Sequence, residues 1–152
     1  MSSSIPIQQS ASLSVIVLDS SAIASLFFKD RSNQRVAQAI QGYDKFSTVD
    51  IAFVEVGSVA WKSVLIFKEK IETSFEALKQ AIDFIQDNCD VVSSRELLSK
   101  AFELGTKNNI QIYDSLFLIL AKQLRAKVLT TDERLYNKTN SIKELRGTAV
   151  LP

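Results

Sequence analysis

Residues 15–23 of the 152-residue chain read VIVLDSSAI, and this stretch decides the class of fold. Val15 to Leu18 form a continuous apolar run rich in β-branched residues, which is typical of a strand buried on both faces of a parallel sheet. Asp19 ends the run, and residues 20–28 then place apolar side chains at helical spacing. A buried strand that passes directly into a helix is the repeating unit of an α/β protein.

The same alternation continues along the chain. Further strands are predicted near 45–48, 89–92, 127–130 and 148–151. Helices are predicted over 32–41, 50–67, 71–87, 95–107, 113–125 and 132–136, and Asp50 is expected to cap the helix that follows it. The pattern predicts an α/β fold with a mainly parallel central sheet and helices on both faces.

Length and composition predict one folded domain preceded by a tail. A typical domain has roughly 100–200 residues, so residues 15–152 are assigned to one domain and the Ser-rich segment 1–14 to a flexible tail. The tail lacks the basic and apolar regions of a secretory signal. No uncharged apolar stretch approaches the roughly 20 residues that span a bilayer. We therefore expect a cytoplasmic protein with no membrane partner.

Several residue types are missing or rare, which excludes whole classes of chemistry. The chain has no histidine, one cysteine (Cys89) and four scattered glycines. These counts exclude Ser-His-Asp and Cys-His catalysis, histidine or all-cysteine zinc sites, and glycine-rich phosphate loops. Lys and Arg number 18 against 17 Asp and Glu, so any nucleic-acid binding must use a local patch. If the chain is a hydrolase, carboxylates must carry most of its chemistry.

Four acids stand in apolar sequence, where an unpaired carboxylate is costly to bury: Asp19, Glu55, Asp114 and Asp132. Each has an ordinary alternative. Asp19 and Asp132 occupy positions that favour a helix N-cap, and Asp114 suits the first turn of a helix. Glu55 is as consistent with a solvated helix face as with a site.

Topology favours bringing the four acids together. The carboxyl ends of parallel strands meet at one edge of the sheet, which is where such folds bind ligands. Four carboxylates at one edge would repel one another, and a divalent cation would relieve that repulsion. Oxygen ligands select hard ions, so Mg²⁺ or Mn²⁺ is expected rather than zinc or copper.

Four segments together resemble the PIN-domain nucleases, most closely the VapC-type ribonuclease toxins of toxin–antitoxin pairs. They are LDSSA at 18–22, FVEVGSVAWK at 53–62, YDSLFLILAKQL at 113–124 and LTTDERL at 129–135. The resemblance implies a PIN-like three-layer fold and a metal-dependent endoribonuclease. It also implies that Asp19, Glu55, Asp114 and Asp132 are catalytic metal-site residues, with Ser21 and Thr130 as supporting hydrogen-bond partners. It further implies an RNA substrate, a homodimer and an antitoxin that blocks the site.

Local cations would have to hold the RNA. The candidates that flank the proposed edge are Lys29, Arg31, Arg35, Lys62 and Arg134, although each alone is an ordinary solvated charge. Trp61 and Tyr113 lie in apolar helices and are expected in the core rather than stacked on bases. The helices over 50–67 and 71–87 carry extra apolar residues near Ile66, Phe67 and Phe75. Core packing is favoured slightly for these residues over a dimer face or an antitoxin groove.

Two other classes remain open. An Asp at a strand end also suits a haloacid-dehalogenase-like phosphatase or a receiver domain. The first needs a second Asp where this chain has Ser21, and the second needs an acidic pair that is absent. The other alternative is a catalytically idle PIN-like interaction module, which would have no reason to keep four costly carboxylates.

Overall fold

The computed structural model describes residues 12–152 and contains a central sheet of five parallel strands. The strands are β1 (Val15–Leu18), β2 (Lys45–Val49), β3 (Cys89–Val92), β4 (Lys127–Leu129) and β5 (Ala149–Val150). Their order across the sheet is β3-β2-β1-β4-β5. The predicted α/β class and parallel sheet are confirmed. Most of the predicted tail, residues 1–11, lies outside the described residues.

Seven helices accompany the sheet in the described part of the chain. They are α1 (Ser20–Phe27), α2 (Asn33–Ile40), α3 (Ile51–Leu65), α4 (Ile71–Asn88), α5 (Ser94–Asn108), α6 (Ile112–Leu124) and α7 (Glu133–Ser141). All seven lie where the periodicity predicts a helix. The last was predicted to end near residue 136 and is longer, because a mostly polar helix that buries only Leu135 and Thr139 has a weak apolar signal. Between residues 12 and 152, no helix is both long and apolar enough to cross a membrane.

The order of the strands places helices on both faces. From β1 the chain moves outward through β2 to β3, then returns to the other side of β1 for β4 and β5. Since crossovers between parallel strands are right-handed, this reversal puts α1 to α4 on one face and α5 to α7 on the other. The reversal lies between β1 and β4. Folds of this kind bind ligands beyond the carboxyl ends of the strands at such a point, and that region is called the crevice below.

The core is centred on β1 and α6. Ile16, Val17 and Leu18 are fully buried, and residues 115–121 of α6 are buried without interruption. Near the carboxyl edge of the sheet, the Thr48 hydroxyl of β2 donates to the Leu18 carbonyl of β1 at 2.7 Å. The residues that enter the crevice therefore start from a rigid, buried platform.

Asp50 is the N-cap residue of α3, as predicted, but its side chain does not cap the helix. Asp50 precedes α3 but already has helical dihedrals (φ −57°, ψ −26°), and its side chain makes no capping hydrogen bond. An N-cap side chain normally needs an extended backbone to reach the helix N–H groups. The Asp50 carboxylate instead accepts from the Ser94 N–H at 3.1 Å, which ties the end of β2 to the start of α5.

The expectation that Trp61 and Tyr113 are core residues is also wrong, since they are 59% and 55% exposed. Small residues form the fully buried face of α3 (Ala52, Val56 and Ala60), and Trp61 lies on the opposite, exposed side with Val54 and Leu65. Core packing is likewise wrong for the residues at the junction of α3 and α4. Ile66, Phe67 and Phe75 are all exposed.

Substitution of Gly105 tests the close packing of α5 against the start of α6, and substitution of Gly57 is the comparison. The two variants should change the free energy of unfolding in opposite directions. A Cβ on Gly105 of α5 would lie 2.6 Å from the Ile110 carbonyl oxygen and 2.8 Å from Ser115 Oγ. Gly105→Ala should therefore lower the free energy of unfolding by about 1–3 kcal/mol. A Cβ on Gly57 of α3 meets nothing within 4 Å, so Gly57→Ala should raise it by up to about 1 kcal/mol. Urea unfolding of both variants checks the pair, and a stabilised Gly105→Ala would contradict the close packing.

Candidate metal centre

The four acids enter the crevice from four elements. Asp19 directly follows β1, and Asp132 lies shortly after the end of β4. These two strands are neighbours at the point where the strand order reverses. Glu55 lies one turn inside α3, the helix that follows β2, and Asp114 lies in the first turn of α6. Their placement agrees with the predicted convergence at the carboxyl edge of the sheet.

Asp19 is the most buried of the four, with 5% of its surface exposed. Its Oδ1 accepts from the Ser21 hydroxyl at 2.6 Å and from the Ala22 N–H at 2.9 Å. Burial raises the pKa of the Asp19 carboxyl to about 6, and the nearby charge of Glu55 raises it further, against these hydrogen bonds. Asp19 therefore both caps α1 and carries a perturbed charge in the crevice, so the two interpretations of this residue are compatible.

Ser21 and Thr130 connect the two strand ends. Ser21 Oγ lies 3.2 Å from Thr130 Oγ1 and also accepts from the Thr131 N–H at 3.0 Å. Thr130 is fully buried, and its hydroxyl oxygen accepts from the Asp132 N–H at 3.1 Å. The two hydroxyls thus hold the loops that carry Asp19 and Asp132 in register, where they were expected as supporting groups.

Asp132 caps α7 with one oxygen and leaves the other free of hydrogen bonds among residues 12–152. Its Oδ1 accepts from the Arg134 N–H at 2.9 Å and the Leu135 N–H at 3.3 Å. As at Asp19, one side chain serves as the helix cap and is also a candidate ligand. Oδ2 remains available to a ligand.

The pKa of the Asp114 carboxyl is affected by all three of the other acids. Burial is the largest cause that raises the pKa of the Asp114 carboxyl to about 6, followed by the charges of Asp19, Asp132 and Glu55, while Arg134 opposes the shift. Within the described residues, no salt bridge includes any of the four acids. The crevice is therefore an acidic centre whose charges are coupled and uncompensated by ion pairs.

Glu55 is held by a residue that the sequence reasoning missed. Ser20 Oγ donates to Glu55 Oε1 at 2.7 Å, and Ser20 itself is buried. The sequence reasoning selected only Ser21 from the serine pair after Asp19. A signal was available, because Ser20 opens the helix at the strand end and so faces the same edge as Asp19.

The donor chemistry of this centre fits a hard divalent cation. All four candidate ligands are carboxylates, and two of them have pKa values raised to about 6 by burial and mutual repulsion. A bound cation would reverse that repulsion, and oxygen ligands favour Mg²⁺ or Mn²⁺. Across the described range, no three acids are already arranged as a ready-made metal site. Binding would therefore have to draw the side chains together, and the free oxygens of Asp132, Asp114 and Glu55 allow it.

Only one of the predicted cationic residues acts on the carboxylates. Arg134 is close enough to Asp114 to lower its pKa. Lys29 forms an ion pair with Glu69 at 3.0 Å, and with Lys62 it lines a cavity of about 500 Å³ between α1, α3 and α4. Of the two further cations, Arg31 lies between α1 and α2, and Arg35 lies in α2. Arg35 contacts Ser32 Oγ at 3.3 Å.

Comparison with known proteins gives a consistent result. The family model for the PIN domain matches residues 16–140. The chain is 29% identical over 126 residues to "Ribonuclease VapC3" of Pyrobaculum aerophilum, an alignment that covers 81% of this chain and 93% of the relative.

Two solved structures share the fold. The crystal structure of PAE2754 from Pyrobaculum aerophilum has a TM-score of 0.64 and 17% identity, covering 82% of this chain and 79% of the other. A toxin–antitoxin complex from Klebsiella pneumoniae has a TM-score of 0.54 and 15% identity, covering 80% and 89%.

Asp19→Asn should stabilise the metal-free protein at neutral pH. The pKa of this carboxyl rises from an ordinary 3.8 to about 6 on folding, so the wild-type free energy of unfolding falls as pH rises across that interval. Each unit corresponds to about 1.4 kcal/mol, so a gain of roughly 2–3 kcal/mol is expected at pH 7. Asn keeps an oxygen that can accept from Ser21 and Ala22.

Urea unfolding in EDTA at pH 7 and pH 4 checks this prediction. The gain should be present at pH 7 and nearly vanish at pH 4, where wild-type Asp19 is protonated. Asp87→Asn, an exposed position on α4, is the matched control and should change little at either pH. An Asp19→Asn variant less stable than wild type at pH 7 would contradict a costly buried charge.

Proposed function

The chain belongs to the PIN domain family, and from that premise we propose that it is a metal-dependent endoribonuclease that hydrolyses RNA phosphodiester bonds. The observation that carries the proposal is the acidic centre, where burial and then the charges of Asp19, Asp132 and Glu55 raise the pKa of the Asp114 carboxyl. Similarity to a ribonuclease over most of both chains supports it. Mg²⁺ or Mn²⁺ is the proposed cofactor.

The four acids would divide the work of the reaction. Asp19, Asp114 and Asp132 would hold the cation directly or through water, and Ser21 and Thr130 would keep Asp19 and Asp132 oriented. When bound, such a cation makes a coordinated water more acidic and stabilises charge on the leaving oxygen. Glu55 would either complete the ligand set or accept the proton of the attacking water. Oε2 would be the more accessible atom for either role, since it accepts no hydrogen bond among the described residues whereas Oε1 accepts from Ser20.

The cysteine of the chain is unsuited to act as a nucleophile. Cys89 is the only cysteine of the chain, and burial, aided by the charge of Asp90, raises the pKa of its thiol to about 12. A thiol with that pKa stays protonated at neutral pH and is a poor nucleophile. The carboxylates are therefore the groups that would act on the substrate.

The proposal extends to RNA binding and to the partner. Arg134 would neutralise a phosphate beside Asp114, while Lys29, Arg31, Arg35 and Lys62 would contact the backbone further along α1 to α3. Because a structure with this fold is a toxin–antitoxin complex, we propose that the chain is the toxin of such a pair, with an antitoxin as partner and a homodimer as its own assembly. The exposed apolar residues of α3 and α4 offer a surface for one of these contacts. A cytoplasmic location follows from an RNA substrate and stays a prediction.

Replacing the acids should abolish cleavage. Asp19→Asn and Asp114→Asn should each lower the cleavage rate of a labelled single-stranded RNA by at least roughly 100-fold in Mg²⁺, because each removes a charge that the cation needs. EDTA should abolish wild-type cleavage, and Mn²⁺ should restore it. The control Asp87→Asn should retain wild-type activity. Full activity in either acid variant would overturn the assignment, and an inactive wild type in both metals would favour the idle interaction module.

Charge reversal at Arg31 and Arg35 should weaken RNA binding and reduce its salt dependence. Each lost phosphate contact should lower the slope of log K against log salt by about 0.7 for single-stranded RNA. Fluorescence anisotropy in EDTA, which stops cleavage, measures both quantities. Lys79→Glu on α4 serves as the control, since Lys79 already pairs with Glu76. An unchanged slope in the double variant would remove Arg31 and Arg35 from the interface.

A further inference from the structure

We infer that Ser20 is the positioning residue for Glu55 in the metal centre, an inference that rests on the proposed function. Ser20 is 8% exposed and opens α1, and its hydroxyl donates to Glu55 Oε1 at 2.7 Å. Its role would be to present the opposite oxygen, Oε2, to the cation or to the attacking water. Ser20 would itself touch neither RNA nor metal.

Two adjacent hydroxyls thus serve two different carboxylates. Ser21 donates to Asp19 Oδ1 at 2.6 Å, whereas Ser20 donates to Glu55 on a separate helix, α3. This division follows from helical geometry, because consecutive residues of a helix point about 100° apart. The start of α1 therefore links two acids that repel each other and sets the distance between them.

Glu55 has fewer hydrogen-bond donors than Asp19 or Asp132. Within the described residues, Ser20 is the only hydrogen-bond donor to the Glu55 carboxylate. Asp19 accepts from a hydroxyl and a backbone N–H, and Asp132 accepts from two backbone N–H groups. A glutamate side chain has three rotatable bonds, and fixing it costs roughly 1.5–2 kcal/mol of conformational entropy. Without the Ser20 hydroxyl, the Glu55 carboxylate would be free to turn toward solvent, away from Asp19.

Mn²⁺ titration calorimetry of four proteins tests this role without relying on cleavage. Ser20→Ala should bind Mn²⁺ roughly tenfold more weakly than wild type, as is usual when a group that orients a ligand is lost. Ser20→Thr keeps the hydroxyl and should restore most of the affinity. Ser25→Ala removes another buried hydroxyl from α1, one that donates only to the Ala22 carbonyl, and should bind like wild type.

A double-mutant cycle separates positioning from general damage to the helix. In the Glu55→Gln background, Ser20→Ala should cost less than twofold in Mn²⁺ affinity, because the carboxylate it orients is already gone. Urea unfolding of each variant checks that all of them fold. Equal affinity of Ser20→Ala and wild type would overturn the role of Ser20 alone, as would a tenfold loss that persists in Glu55→Gln. A wild-type chain that binds no Mn²⁺ would overturn the proposed metal centre as well.

Discussion

The carboxylate of Asp19 is buried at the end of the central strand. Burial of a charge is costly, and the neighbouring groups are arranged to donate hydrogen bonds to it. β1 must be apolar to lie in the middle of a parallel sheet, so the residue that leaves it enters the crevice already shielded from water. The Ser21 hydroxyl and the start of α1 lower the cost by donating to Asp19 Oδ1. They do not remove it, since the pKa of the Asp19 carboxyl still stands near 6.

The other acids add negative charge beside Asp19 and do not neutralise it. Burial is the largest cause that raises the pKa of both Asp19 and Asp114; the charge of Glu55 adds to it at Asp19, and the charges of three carboxylates add to it at Asp114. A protein that needed only stability would place a cation or an apolar residue here. The proposed cation binding explains why the fold keeps this arrangement, because sites built for charge chemistry are commonly less stable than the sequence could make them.

Much of this arrangement could be predicted from sequence, because the two strongest signals are local. Short β-branched runs and helical spacing locate the strands and helices, and acids next to apolar runs identify Asp19, Glu55, Asp114 and Asp132. Features that depend on tertiary packing could not be predicted from the sequence. Trp61 faces outward because alanines occupy the buried face of α3, and the Asp50 side chain reaches α5 instead of its own helix. The position of Ser20 at the strand end points to the same edge as Asp19, but its partner Glu55 lies 35 residues away and only the fold reveals that contact.

The central claim is that these carboxylates gather around a divalent cation. Anomalous diffraction from crystals grown with Mn²⁺ tests it most directly, since it locates the ion independently of any activity. We expect a peak in the crevice between the ends of β1 and β4, with oxygens of Asp19, Asp114 and Asp132 at about 2.0–2.5 Å or bridged by one water. A fully occupied Mn²⁺ peak away from these residues, or none at saturating Mn²⁺, would contradict it.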